Sequence, residues 1–270
     1  MTKKKKNKPV TLSDAKPAKK EKSHKIIGKL HQLNKTKELM KSKSVPVVQK
    51  KMLQNTIKKC EEEIGGLETY QHLSKSAEKH HGNFNSAKWV WKELQALNLV
   101  NKEKKLDLLD VGALDLNYKK YSSTINATYI DLNPQVPGIS KQDFFDFQVD
   151  KRELFDVVVL SLVINFVGDP NTRGQMLRRA HQLLRPEGHL VVVLPLACVD
   201  NSRYLTSDLL TSMLTSLEFE VVKIHRSRKL VFFLNQKIKS GSASGSSSKK
   251  FPKKVVRSGG KMNNFCIVIS

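Results

Sequence analysis

The sequence predicts an α/β fold of the doubly wound kind: a mostly parallel sheet with an antiparallel strand near the C-terminus. Three observations carry that expectation. Residues 106–111 form a short, mostly apolar run that suits a strand buried on both faces, and it closes on Asp110-Val111-Gly112-Ala113. About twenty residues past Asp110 a second strand-like run, 127–130, ends on Asp131. From there β and α patterns alternate to about residue 235 and finish in two neighbouring strands with no helix between them.

Each element has a local reason. Residues 1–50 are rich in lysine, poor in aromatics and without an apolar period, so they are expected to be a disordered basic tail. Met52, Leu53, Ile57, Ile64 and Leu67 recur loosely at helical spacing, interrupted at Gly65-Gly66. A second stripe, Trp89, Val90, Leu94 and Leu97, follows the capping stretch Asn85-Ser86-Ala87-Lys88. Together they predict a helical segment over 51–100 beside the first strand. His72, His80 and His81 lie in it without a cysteine or acid constellation, which favours surface side chains over metal ligands.

The main domain is expected over 101–270. Residues 141–145 read as a short third strand or its exit loop, and 155–163 is the strongest strand signal in the chain. Asp169-Pro170 starts a helix carrying Met176, Leu177, Ala180, Leu183 and Leu184. A turn at Leu184-Arg185-Pro186-Glu187-Gly188 leads into a buried strand over 189–196, and Ser207-Asp208 caps a helix reaching Leu217. Residues 220–225, 229–235 and 265–269 are strand-like. Between the last two, 237–261 is rich in Ser, Gly and Lys and reads as a disordered basic loop.

Charge is unevenly placed. Residues 1–59 hold 19 lysines and three acids, a net of +16, and residues 221–270 hold 12 basic residues and no acid. The remaining 60–220 has 17 basic against 22 acidic residues, a net of −5, so the fold is mildly acidic and its ends are polycationic. Such ends suit the phosphates of nucleic acid, and they also serve as nuclear addresses. Three separated cysteines without a C-x-x-C, and no apolar run of membrane-spanning length, lead us to expect no disulfide framework, no metal and no membrane.

The strand tips hold the chemistry. Gly112 lets the backbone approach a ligand, and Asp131 can accept both hydroxyls of a ribose, although the same residues also make an ordinary turn. The full G-x-G-x-x-G pattern is absent, since Leu114 and Asn117 stand at the later glycine positions. That disfavours a pyrophosphate-binding loop and is tolerable for S-adenosylmethionine, which has no phosphate.

Asp110-Val111-Gly112-Ala113, Tyr129-Ile130-Asp131-Leu132-Asn133, Gln142-Asp143-Phe144-Phe145-Asp146, Leu160-Ser161-Leu162-Val163 and Leu184-Arg185-Pro186-Glu187-Gly188 together resemble class I S-adenosylmethionine-dependent methyltransferases, with a Rossmann-like fold. The phrasing of 130–133, 143–145, 160–167 and Asn263-Asn264-Phe265 resembles more narrowly the fungal 25S rRNA adenine-N1 methyltransferase family. Animal relatives of that family include an S-adenosylmethionine sensor of the TOR pathway. The similarity spans roughly residues 65–270.

The resemblance implies S-adenosylmethionine as cofactor, with Gly112, Asp110, Asp131, Leu132, Asp143, Phe144 and Ser161 as its contacts. Asp131 would bind the ribose, Leu132 would pack on adenine, Asp143 would accept from the adenine amino group with Phe144 beside the ring, and Ser161 would line the pocket. For Phe144 a plain core role is an equal alternative. The place after the fourth strand reads Ser161-Leu162-Val163-Ile164-Asn165, not the Asn/Asp-Pro-Pro-Tyr/Phe of adenine N6 enzymes. Asn165 and Asp169 are the candidates to orient a base or offset product charge. The implied activity is N1 methylation of an adenine in ribosomal RNA on a pre-60S particle, in the nucleolus of the nucleus, by a monomer whose basic tails touch RNA phosphates. A cofactor sensor acting through a protein partner is the alternative.

Overall fold

The computed structural model describes residues 46–64, 86–101, 103–150, 153–239 and 249–270, with isolated helical residues 32, 36 and 40. The chain divides into two compact units, Met1–Leu73 and Ser74–Ser270. In the first, helix α1 (Val47–Ile64) covers the first part of the expected helical entrance. Leu67, the three histidines and the capping Asn85 lie outside the described residues.

The second unit is built on a seven-stranded sheet. Its strands are β1 (Leu106–Val111), β2 (Ile125–Asp131), β3 (Ser140–Lys141), β4 (Phe155–Ser161), β5 (Leu184–Pro195), β6 (Phe219–Arg226) and β7 (Leu230–Lys237). They lie in the order β3-β2-β1-β4-β5-β7-β6. β1 pairs in parallel with β2 and β4, and β4 with β5, whereas β7 runs antiparallel to both β5 and β6. The order turns around between β1 and β4, so the crevice where doubly wound sheets take their ligands opens beyond those two strands.

The apolar runs do not alternate with polar residues because both faces are covered. Along β4, Val158 and Leu160 belong to one core and Val157 and Val159 to another; β5 and β7 divide in the same way. On the second face lies α2 (Ser86–Ala96), whose Ala87, Val90 and Leu94 pack with Leu108 of β1. Trp89 extends that face, its ring 4.8 Å from Phe232 of β7. On the first face lie α3 (Pro170–Leu183) and α5 (Ser207–Ser216), joined by Phe251, Ile267 and Ile269 from the end of the chain. A short helix, α4 (Ala197–Asp200), follows β5. Among the described residues no helix is long and apolar enough to cross a membrane.

Several boundaries differ from expectation. The third strand is only Ser140–Lys141, so of the two expectations for 141–145 the exit loop is the one that holds Asp143 and Phe144. α5 is capped by Thr206, whose side chain accepts from Leu209 N at 3.0 Å, and not by Ser207-Asp208. Residues 265–269 form no named strand. Ile269 makes one bridge to Phe251, and Val268 N donates to Pro170 O at 3.0 Å. Of the expected loop 237–261, residues 240–248 lie outside the described part. Residues 249–261 are held on the fold by guanidinium-to-carbonyl bonds, a correction that composition could not announce.

Candidate functional site

At the exit of β1, Gly112 has φ +71°, and its N–H and that of Ala113 donate to Ile130 O at 2.9 and 3.1 Å. A β-carbon added there would stand 3.0 Å from Val163 Cγ2. The turn after β1 therefore lies against the residue two past the end of β4, across the switch point. Any other residue would be strained at that φ and would press on the Val163 side chain.

The other tips lie along the same edge of the sheet, at the carboxyl ends of the parallel strands beside β1. Asp131 ends β2, half-buried, with Oδ1 accepting from Asn133 N at 2.7 Å. This local turn fixes the carboxylate's direction. Leu132 beside it is 64% exposed, a large apolar side chain left open at a strand tip. Asp143 Oδ1 accepts from Phe145 N at 2.8 Å. Phe144 is buried in the core, while its neighbour Phe145, 6.1 Å away between ring centroids, is 36% exposed. The burial of Phe144 agrees with the plain core role, and Phe145 is the ring available at the surface.

Ser161 at the tip of β4 donates to Ser86 Oγ at 2.9 Å, joining the crevice to the first residue of α2. The next residue, Leu162, has φ +56°, a left-handed conformation that costs a branched side chain energy and is held by Leu162 N donating to Val193 O at 2.9 Å. Asn165 follows in a single helical turn, Ile164–Phe166, with 5% exposure and a buried Oδ1 that lacks a hydrogen-bond partner. Leaving such an acceptor unmet costs about 1–3 kcal/mol. Asp169 is engaged otherwise. It is the N-cap of α3, accepting from Thr172 N at 2.8 Å and Thr172 Oγ1 at 3.0 Å.

Asp110 lies inside β1, 6% exposed, and burial pushes its carboxyl up to about 7. Nearby, Tyr118 N donates to the hydroxyl of Tyr129 at 3.1 Å. Burial, and then the charge of Asp110, raise the Tyr118 phenol well above its usual range.

Sequence reasoning passed over Leu162 and Arg173. Arg173 is 8% exposed, donating from Nε to Val167 O at 2.8 Å and from Nη1 to Cys266 O at 2.7 Å. Its guanidinium lies 4.4 Å from the centroid of the Phe265 ring. It thus ties the loop carrying Asn165 to the end of the chain. The available signal was its spacing: it falls three and four residues before Met176 and Leu177, on the apolar stripe of α3. Nothing in the sequence announces the φ of Leu162.

The arrangement offers carboxylate acceptors at β2 and past β3, open apolar surface beside each, and a glycine turn. Neither Gly112-Ala113 nor Asp131-Leu132-Asn133 carries a cation to offset a phosphate. That set fits a nucleoside bearing a positive charge, such as S-adenosylmethionine, better than a dinucleotide. Among the described residues no cluster of three or more His, Cys, Asp or Glu could hold a metal ion.

Residues 51–267 match the family described as 25S rRNA (adenine(2142)-N(1))-methyltransferase, Bmt2. The chain is 32% identical over 210 residues to the 25S rRNA (adenine(2142)-N(1))-methyltransferase of Saccharomyces cerevisiae, covering 76% of this chain and 60% of that protein. It is 28% identical over 257 residues to the 25S rRNA adenine-N(1) methyltransferase of Schizosaccharomyces pombe, covering 91% of each. A shorter match, 30% over 115 residues, covers 34% of this chain and 28% of the S-adenosylmethionine sensor upstream of mTORC1 of Xenopus tropicalis. Among solved structures, a 1,6-didemethyltoxoflavin-N1-methyltransferase of Burkholderia thailandensis is 16% identical, covering 62% of this chain and 86% of that one, with a TM-score of 0.44.

Proposed function

The chain belongs to the Bmt2 family of 25S rRNA adenine-N(1) methyltransferases, and from that premise we propose that it methylates N1 of an adenine in large-subunit ribosomal RNA. The observation that carries the reading is that the family match over 51–267 contains every residue of the crevice between β1 and β4.

S-adenosylmethionine, when bound, supplies an electrophilic methyl group on a sulfonium. The Gly112 turn admits its methionine portion, with Asp110 behind the turn. Asp131 accepts from the ribose hydroxyls, and Leu132 covers one face of its adenine. Asp143 accepts from the adenine amino group, with Phe145 rather than Phe144 available beside the ring. Ser161 lines the wall toward the substrate.

The substrate adenine presents N1 on its Watson–Crick edge, so the base must leave any paired context to reach the crevice. The N1 lone pair needs no proton removed before attack. The chain's task is then alignment and exclusion of water, worth up to about 7–11 kcal/mol in favourable cases. Asn165, in the single turn just past β4, is our candidate to hold N1 in line. Asp169 acts by fixing the start of α3 and the loop before it.

The polycationic tail 1–50 and the basic end of the chain supply affinity for the phosphates of a pre-60S particle in the nucleolus, where the protein acts as a monomer. A second reading, a cofactor sensor signalling to a protein partner, has the sensor likeness in its favour. The +16 and +12 ends favour RNA, because a sensor has no need of them. The purified chain, labelled cofactor and total RNA separate the two: N1-methyladenine in the mildly digested RNA is expected, and cofactor binding without transfer to RNA would overturn the proposal.

A further inference from the structure

The end of the chain is basic, and much of it is folded. Residues 249–261 carry Lys249, Lys250, Lys253, Lys254 and Lys261, all exposed, and no acid. They are not a loose tail. Phe251 is buried and pairs with Ile269 in both directions, at 2.7 and 3.2 Å. Arg257 donates to Asp200 O at 2.7 Å, to Leu205 O at 2.8 Å and to Val199 O, gripping the residues around α4. Arg203 donates in return to Gly259 O at 2.9 Å and Met262 O at 2.7 Å. Because these guanidinium groups are taken up by backbone carbonyls, the exposed cations of the segment are its lysines.

The placement matters as much as the charge. α4 begins immediately after β5, and Asn263 Nδ2 donates to Ala197 O at 2.7 Å. Arg173 ties Cys266 O to Val167 O, in the loop after β4. Arg257 of the segment donates to Asp200 O and Val199 O, so the segment lies beside the short helix that leaves β5, and the residues that follow it reach the loop after β4 through Arg173. The nearest acid on α4, Asp200, is already paired with Arg226 at 2.7 Å. Val255 and Val256 are 57% and 42% exposed between the lysines, and Lys253 lies 4.6 Å from the Tyr204 ring centroid. Fixed cations, open apolar side chains and an aromatic ring side by side are what a strand of RNA requires, phosphates on one side and sugars or bases on the other.

We propose that residues 249–261 form a folded RNA-docking surface that lays a single-stranded segment of the substrate across the exits of β4 and β5. The inference rests on the reading of the protein as an RNA methyltransferase and adds to it the surface that delivers the substrate. The test replaces Lys249, Lys250, Lys253 and Lys254 together with Gln in the full chain and titrates salt against a short single-stranded RNA of mixed sequence. A loss of about 0.7 in the slope of log K against log salt is expected per lysine that touches a phosphate, hence up to about 2.8 for four. Calorimetry with S-adenosylmethionine should match the parent. Arg257→Ala keeps all the lysines but frees the segment, which must then be ordered on binding; RNA affinity should fall about tenfold with the slope changed by less than about one contact.

An unchanged slope in the quadruple variant would overturn the inference. So would an unchanged affinity in Arg257→Ala when proteolysis shows the segment released, or an effect seen with a polyglutamate peptide and not with RNA. If Arg257→Ala does not fold, the quadruple variant decides alone, since it alters only exposed side chains. Methyl transfer by the parent is scored separately. RNA docking without transfer would sink the proposed activity and spare this surface, and transfer with an unchanged slope would do the reverse.

Discussion

Gly174→Ala should destabilise the protein even though alanine is the better helix former. Gly174 lies in α3, where alanine would ordinarily gain about 0.8–1.0 kcal/mol. A β-carbon there would stand 1.9 Å from Val268 O and 3.0 Å from Ile269 Cδ1. Carbon–oxygen contacts settle at about 3.3–3.6 Å, so helix and chain end must part by more than ~1 Å. That movement threatens Val268 N donating to Pro170 O at 3.0 Å, worth about 0.5–1.5 kcal/mol, and Arg173 donating to Cys266 O at 2.7 Å, worth about 1.5–3 kcal/mol for a charged donor. Against the helical gain, the net is a loss of about 1–3.5 kcal/mol. In a unit of this size each kcal/mol lowers the midpoint by about 2–4 °C. Urea titration and a thermal melt measure the loss, and limited proteolysis shows whether residues 262–270 have come loose. A variant as stable as the parent, with its end still protected, would refute the close packing at Gly174.

Gly112→Arg and Asp131→Ala should each abolish binding of S-adenosylmethionine in calorimetry while the fold survives; parent-like affinity in either would move the cofactor site elsewhere. Asp169→Asn should keep most of the single-turnover rate, since asparagine is also a good N-cap, whereas Asn165→Ala should lose more by loosening the base. N6-methyladenine under mild digestion, or near-total loss in Asp169→Asn, would contradict the alignment mechanism. His181 should make the fold acid-sensitive. Burial first, and then the charge of Lys237, lower it from 6.5 to about 4, so between those values the unfolded chain binds more protons and stability falls as pH drops through the window. His181→Gln should flatten that limb in urea titrations from pH 7 to about 4, and an unchanged limb would assign it to another group.

The sequence alone determined the buried central strands and where β1, β2 and β4 end. A run such as Phe155–Ser161 declares a strand covered on both faces because its odd and even apolar side chains, Val157 and Val159 against Val158 and Leu160, each meet apolar neighbours, and that requirement is written locally. The position of Gly112 after β1 and of Asp131 at the end of β2 was legible for the same reason, from spacing along one strand-turn-strand unit. Tertiary structure decided the rest. Of two adjacent phenylalanines, the exit path from a two-residue strand turns Phe144 inward and Phe145 out. That the carboxylate four residues past Asn165 caps a helix, accepting from Thr172 N, is likewise visible only in the fold. The folding of 249–261 was the least legible feature, because much of what holds it is Arg203 and Arg257 donating to backbone carbonyls. Every residue carries a carbonyl, so no pattern of side chains can say which one a distant guanidinium will find.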